Sequence, residues 1–114
     1  MKGLIAFLVT MCVSPLSWCE VIEVGQENKL FVIKGHVNAG TATDPQMSIK
    51  NGDVIRFVND DDFFHNVFSL SDPKLFDLGS FPKGEHRDVT FDVPGTVEIE
   101  CAIHPEMKLT IEVE

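Results

Sequence analysis

From Val21 to the C-terminus the chain is built of short apolar runs in which apolar and polar residues alternate, each ended by Gly, Pro, Asn or Asp. A period of two belongs to strands with one face in a core and the other in water, and no stretch sustains the wider spacing of an amphipathic helix. In Lys108–Val113, Leu109, Ile111 and Val113 fall on one face and Lys108, Thr110 and Glu112 on the other. Comparable runs at Val21–Val24, Leu30–Val37, Val54–Asn59, His65–Phe68, Asp88–Val93 and Thr96–Cys101 read as strands. Turns are marked by Asn38-Ala39-Gly40, Asn51-Gly52-Asp53, Asp72-Pro73, Pro82-Lys83-Gly84 and Pro94-Gly95. The expected fold is all-β: a two-sheet Greek-key sandwich of about seven to eight strands. Phe31, Phe57, Phe68 and Phe91 are the expected aromatic contributors to its core, and Met47 is expected to pack there too.

The 114 residues leave room for one such domain. Residues 1–19 have a different character: Lys2, an apolar run from Gly3 to Val13, then Ser14-Pro15 and Ser17-Trp18-Cys19 before Glu20. This reads as a secretory signal peptide cut after Cys19, leaving a mature domain at 20–114 in the periplasm. The apolar run is shorter than the ~20 residues a spanning helix needs, so stable membrane insertion is not expected. Cleavage would remove Cys12 and Cys19 and leave Cys101 alone, an exported thiol that must be paired with another chain or protected chemically. The formal charge of -9 disfavours nucleic-acid binding and favours encounters with basic protein surfaces. A monomer is the expected state.

The lone cysteine stands in Cys101-Ala102-Ile103-His104-Pro105-Glu106-Met107, where two residues separate Cys101 from His104 and His104 from Met107. One short loop therefore carries a thiolate, an imidazole and a thioether, and His65 far upstream would add a second imidazole. Two nitrogens, one strong sulfur and one weak sulfur suit copper best among biological metals. The metal-ligand form of cysteine is the thiolate, which a bound cation favours near neutral pH. Alone, Met107 would be read as a core methionine, and Asn66 as the cap of a turn. His36 and His86 lie near turns among charged residues and read as solvated. Asp60-Asp61-Asp62 lacks the spacing of a calcium loop and reads as a solvated turn.

Several segments resemble the cupredoxins, the blue-copper family. These are Met47-Ser48-Ile49-Lys50-Asn51-Gly52-Asp53 with the apolar strand Val54–Asn59 after it, His65-Asn66, and Pro94-Gly95 with the strand leading to Cys101. The Cys101, His104 and Met107 spacing is most similar to the short amicyanin loop, while Ile99 stands where many members have an aromatic residue. The resemblance covers most of the chain after about residue 45. It implies one type 1 copper ion held by His65, Cys101, His104 and Met107, with Asn66 bonded across to the Cys-bearing segment. As an electron carrier the chain would present Ala102, Ile103 and Pro105 as an apolar docking patch beside His104, with Phe63 and Phe64 either packing or forming part of its rim.

The function expected on this basis is the carriage of single electrons between redox proteins through Cu(II) and Cu(I), without enzyme activity. By analogy with amicyanin the donor would be a dehydrogenase and the acceptor a c-type cytochrome. The alternative is a copper carrier or reservoir that binds the metal without redox cycling. A zinc hydrolase is disfavoured, since no His-Glu-x-x-His motif is present and four protein ligands leave no open position.

Overall fold

The computed structural model describes residues 20–34, 44–104 and 106–114. The expected signal peptide at 1–19, His36, Pro105 and the later part of the strand expected over Leu30–Val37 lie outside the described residues.

Among the described residues nine strands form two facing sheets: β1 Val21–Glu27, β2 Leu30–Ile33, β3 Gln46–Ile49, β4 Val54–Asn59, β5 His65–Ser69, β6 Phe76–Phe81, β7 His86–Thr90, β8 Gly95–Glu100 and β9 Lys108–Val113. One sheet has the order β2-β1-β4-β7 and the other β3-β9-β8-β5-β6. The chain changes sheet between β2 and β3, β3 and β4, β4 and β5, β6 and β7, and β7 and β8. Two pairings are therefore parallel, β1 with β4 and β3 with β9, while the rest are antiparallel.

The all-β sandwich expected from the alternation is observed, with nine strands in place of seven to eight. The two additional strands are edges. β3 has four residues, enough to pair with β9 but too few for alternation to stand out. β6 contains Asp77, Gly79 and Ser80, and its exposure pattern departs from strict alternation around Gly79, at φ 73°. An edge strand needs one partner and one buried face, so its sequence is less constrained.

The core is contributed by both sheets: Val24, Phe31, Ile55, Phe57 and Val89 from one, and Val67, Phe81, Ile99, Leu109 and Ile111 from the other. In β9, Leu109, Ile111 and Val113 are buried, as the alternation requires. Phe31, Phe57 and Phe91 are also fully buried, and Met47 is 8% exposed. Phe68 is not in the core. His65, Val67 and Ser69 are buried on alternate positions of β5, so Phe68 points to the outer face and stays half-buried. Phe81, at the end of β6, fills the core instead.

Between β1 and β2 lies a two-residue hairpin loop, Asn28-Lys29, with φ of 53° and 62°. Glu27 pairs with Leu30 across it. Positive φ at both central residues is the type I′ geometry that matches strand twist, and there Asn is favoured while a non-glycine second residue costs energy. Both turn amides donate to the side chain of Asp61, from Asn28 at 2.7 Å and from Lys29 at 3.0 Å. These bonds hold the otherwise costly turn.

Candidate metal centre

The site lies at one end of the sandwich, where the β4–β5 loop meets the loop that joins β8 to β9. His65 opens β5 with its side chain inward, and Cys101 follows directly on β8. Both are buried, at 0% and 1% exposure. His104 is half-buried on the β8–β9 loop. One donor atom from each of His65, Cys101 and His104 lies within 4.8 Å of the other two. Met107 is fully buried just before β9, and its amide donates to the His104 carbonyl at 2.9 Å, closing the loop.

The orientation of the His65 ring follows from its hydrogen bonds. His65 Nε2 lies 2.7 Å from Asp61 Oδ2, and its Nδ1 faces Cys101 Sγ at 3.6 Å. For a tetrahedral first-row ion with bonds near 2.0 Å to nitrogen and 2.3 Å to sulfur, the N···S edge is about 3.5 Å. The pair is thus already set at the separation that a shared ion requires. Among the described residues, His104 Nδ1 is buried without a hydrogen-bond partner. A buried imidazole nitrogen without a partner among the described residues, on a ring 4.9 Å from that of His65, fits a metal ligand. Cys101 is free, as a thiolate ligand must be.

Asn66, next to His65, accepts a hydrogen bond from the Ala102 amide through Oδ1 at 2.7 Å. It therefore ties β5 to the loop directly behind Cys101. The rim is apolar: Phe63 is 40% exposed, Phe64 55% and Ile103 48%, and Ala102 is also exposed. Phe63 does more than border this rim. Its ring centroid is 5.2 Å from the His65 ring and 5.2 Å from the His104 ring, which are themselves 4.9 Å apart. The ring packs against both imidazoles. Lys29 Nζ lies 5.7 Å from the centroid of the same ring.

The Asp60-Asp61-Asp62 segment is not uniformly solvated. Asp62 is exposed, but Asp61 is 8% exposed and accepts from the Asn28 and Lys29 amides as well as bonding His65. Burial pushes its carboxyl upward; the His65 bond and the Lys29 and Asn28 amides outweigh that and hold it below the usual carboxylate range. Asn59, the last residue of β4, shapes this loop. Its Oδ1 accepts from the Asp61 amide at 2.8 Å, and its Nδ2 donates to the carbonyls of Phe63 at 2.8 Å and Phe81 at 2.9 Å. The Asn59-Asp60-Asp61 turn thus has the Asx form, a signal present in the sequence but indistinguishable there from a surface turn. His86 opens β7 and is exposed.

No family model matches the chain. Among curated proteins, the methylamine utilization protein MauL of Methylorubrum extorquens is 31% identical over 71 residues, which are 61% of this chain and 62% of that relative. The chain thus spans less than two thirds of the relative's length. Among solved structures, the Cu(I) form of an amicyanin variant superposes with a TM-score of 0.67 at 22% identity, over 82% of each chain. An amicyanin variant in its oxidized state gives 0.66 at 22% identity over the same fractions. A copper-containing nitrite reductase from Thermus scotoductus gives 0.68 at 23% identity, over 94% of this chain and 26% of the larger one.

Proposed function

The chain has the fold of the cupredoxins and resembles amicyanin within it, and from that premise we propose that it holds one copper ion and carries single electrons between redox proteins. In this reading His65 and His104 would bind through Nδ1, Cys101 through Sγ, and Met107 as a weak thioether donor. The observation that carries it is that one donor atom from each of His65, Cys101 and His104 lies within 4.8 Å of the other two, with His104 Nδ1 buried and without a partner among the described residues. Copper, when bound, supplies a one-electron Cu(II)/Cu(I) couple; the thiolate and imidazole set suits both oxidation states.

The protein's part is to keep the donors still. Asn66 fixes the start of the loop through the Ala102 amide, the Met107 amide fixes its end, and Asp61 fixes the His65 ring. Donors that do not move between oxidation states leave little reorganisation to accompany the electron. His104 is the only half-buried member of the described His-Cys-His set, so its ring edge is the exit, with Phe63 packed against it and exposed Ala102 and Ile103 preceding it on the loop. Pro105 completes the expected patch. The -9 charge favours basic partners. By resemblance these are a dehydrogenase as donor and a c-type cytochrome as acceptor, met in the periplasm after removal of residues 1–19. The mature domain acts as a monomer and not as an enzyme, since four protein ligands leave no open position for a substrate.

The test is the visible spectrum of the mature chain loaded with Cu(II) and then treated with ascorbate. An intense thiolate-to-copper band that bleaches and returns on reoxidation is expected. Bound copper without such a band would favour a carrier or reservoir that does not cycle.

A further inference from the structure

We propose that Asp61 is a positioning residue of the metal centre and that the β1–β2 turn, on the other sheet, is the part of the fold that positions Asp61. The inference rests on the copper reading above and adds a residue and an element that the ligand set does not contain.

An imidazole has two nitrogens, and the tautomer decides which can bind a metal. The one that keeps its proton cannot. His65 offers Nδ1 to the site, so its proton must sit on Nε2, and Nε2 is 2.7 Å from Asp61 Oδ2. A carboxylate there fixes the tautomer, sets the ring angle and increases the donor strength of Nδ1. Asp61 can do this only if its own oxygens are held. Oδ1 accepts from the Asn28 amide and Oδ2 from the Lys29 amide, while the Asx turn at Asn59 fixes the Asp61 backbone. Both turn residues are non-glycine with positive φ. Backbone held in a sparsely populated region persists only where its surroundings over-determine it, and here they do so beside the metal centre. The chain of contacts runs from Asn28 and Lys29 through Asp61 to His65 and Cys101.

Negative charge on the far side of the His65 ring favours Cu(II) over Cu(I). Asp61→Asn keeps the shape and an acceptor oxygen but removes the charge. It is expected to shift the Cu(II)/Cu(I) equilibrium toward Cu(I) about tenfold, seen as a rise in potential of ~59 mV. Asp61→Ala removes the acceptor too and is expected to lower Cu(II) affinity further, by about 10–100-fold. Lys29→Gly keeps the amide that holds Asp61 and relieves the positive φ, so it should raise the urea midpoint.

The deciding measurement needs no variant and no metal: the ring ¹⁵N spectrum of His65 in the unmodified mature chain. The expected result is the Nε2–H tautomer with a slowly exchanging proton. A Nδ1–H or mixed tautomer overturns the proposal, as does a folded Asp61→Asn protein with unchanged potential. Failure of the copper reading would look different, as a wild-type chain with the Nε2–H tautomer but no blue band.

Discussion

Replacing Asn59 by Ala tests whether the loop beneath the metal centre is built by side-chain hydrogen bonding or by shape. Asn59 is fully buried. Its removal leaves the Phe81 carbonyl and the Asp61 amide without partners in a buried setting, whereas the Phe63 carbonyl lies where water can replace the lost donor. Each buried orphan costs about 1–3 kcal/mol, and a water entering the vacated space recovers part of this. The expected loss is about 2–4 kcal/mol, or a fall in Tm of roughly 10–30 °C for a domain of this size. Urea unfolding of the metal-free mature chain measures it as a lower midpoint at unchanged slope. Asn59→Asp sharpens the test, because it preserves the shape and the acceptor for Asp61 while removing the donor to two carbonyls and adding an unpaired charge. It should be at least as destabilising as Ala at neutral pH. A loss under about 1 kcal/mol in the Ala variant, or wild-type stability in the Asp variant, would refute the reasoning.

Phe63→Ala uncovers the faces of both imidazoles, so copper release to a strong chelator should accelerate by about tenfold; an unchanged rate in stopped-flow would show that the ring shields nothing. The ion pair between Arg56 and Asp88, with N···O distances of 2.9 and 3.1 Å, tests the electrostatics of the β4–β7 pairing. The Arg56 bond holds the Asp88 carboxyl below its ordinary value, so its stabilisation is complete above the ordinary carboxylate pKa and disappears as the pH falls through the folded value. Both side chains are about a third exposed, which limits the effect to about 1 kcal/mol. Asp88→Asn should therefore show a deficit in urea unfolding at neutral pH that vanishes in acid, and an equal deficit at both would contradict it.

The local patterns in this chain carried much of its description. Alternation in Lys108–Val113 determined which residues of β9 enter the core, because successive side chains of a strand point to opposite faces wherever that strand is placed. The spacing of Cys101, His104 and Met107 determined the chemistry of the loop, since the donor set depends on residue type. The outward position of Phe68 follows from His65 pointing inward three positions away on the same strand, a parity the residue types alone do not settle. Aromatic character was the weaker guide there.

Only the tertiary structure decided what surrounds these residues. Asp60, Asp61 and Asp62 are chemically identical, and what sets Asp61 apart is that the Asn28-Lys29 hairpin from another part of the chain closes over it with two amides. The strand β6, weakly patterned and interrupted at Gly79, exists because β5 offers it an edge, and Phe81 fills the core from there. The Nδ1 orientation of His65 depends on a carboxylate whose own placement requires both sheets. Spacing along a chain encodes which side chains share a face or a loop. Burial, and with it the strength of a charge or a hydrogen bond, is set by residues distant in sequence that arrive only when the sheets pack.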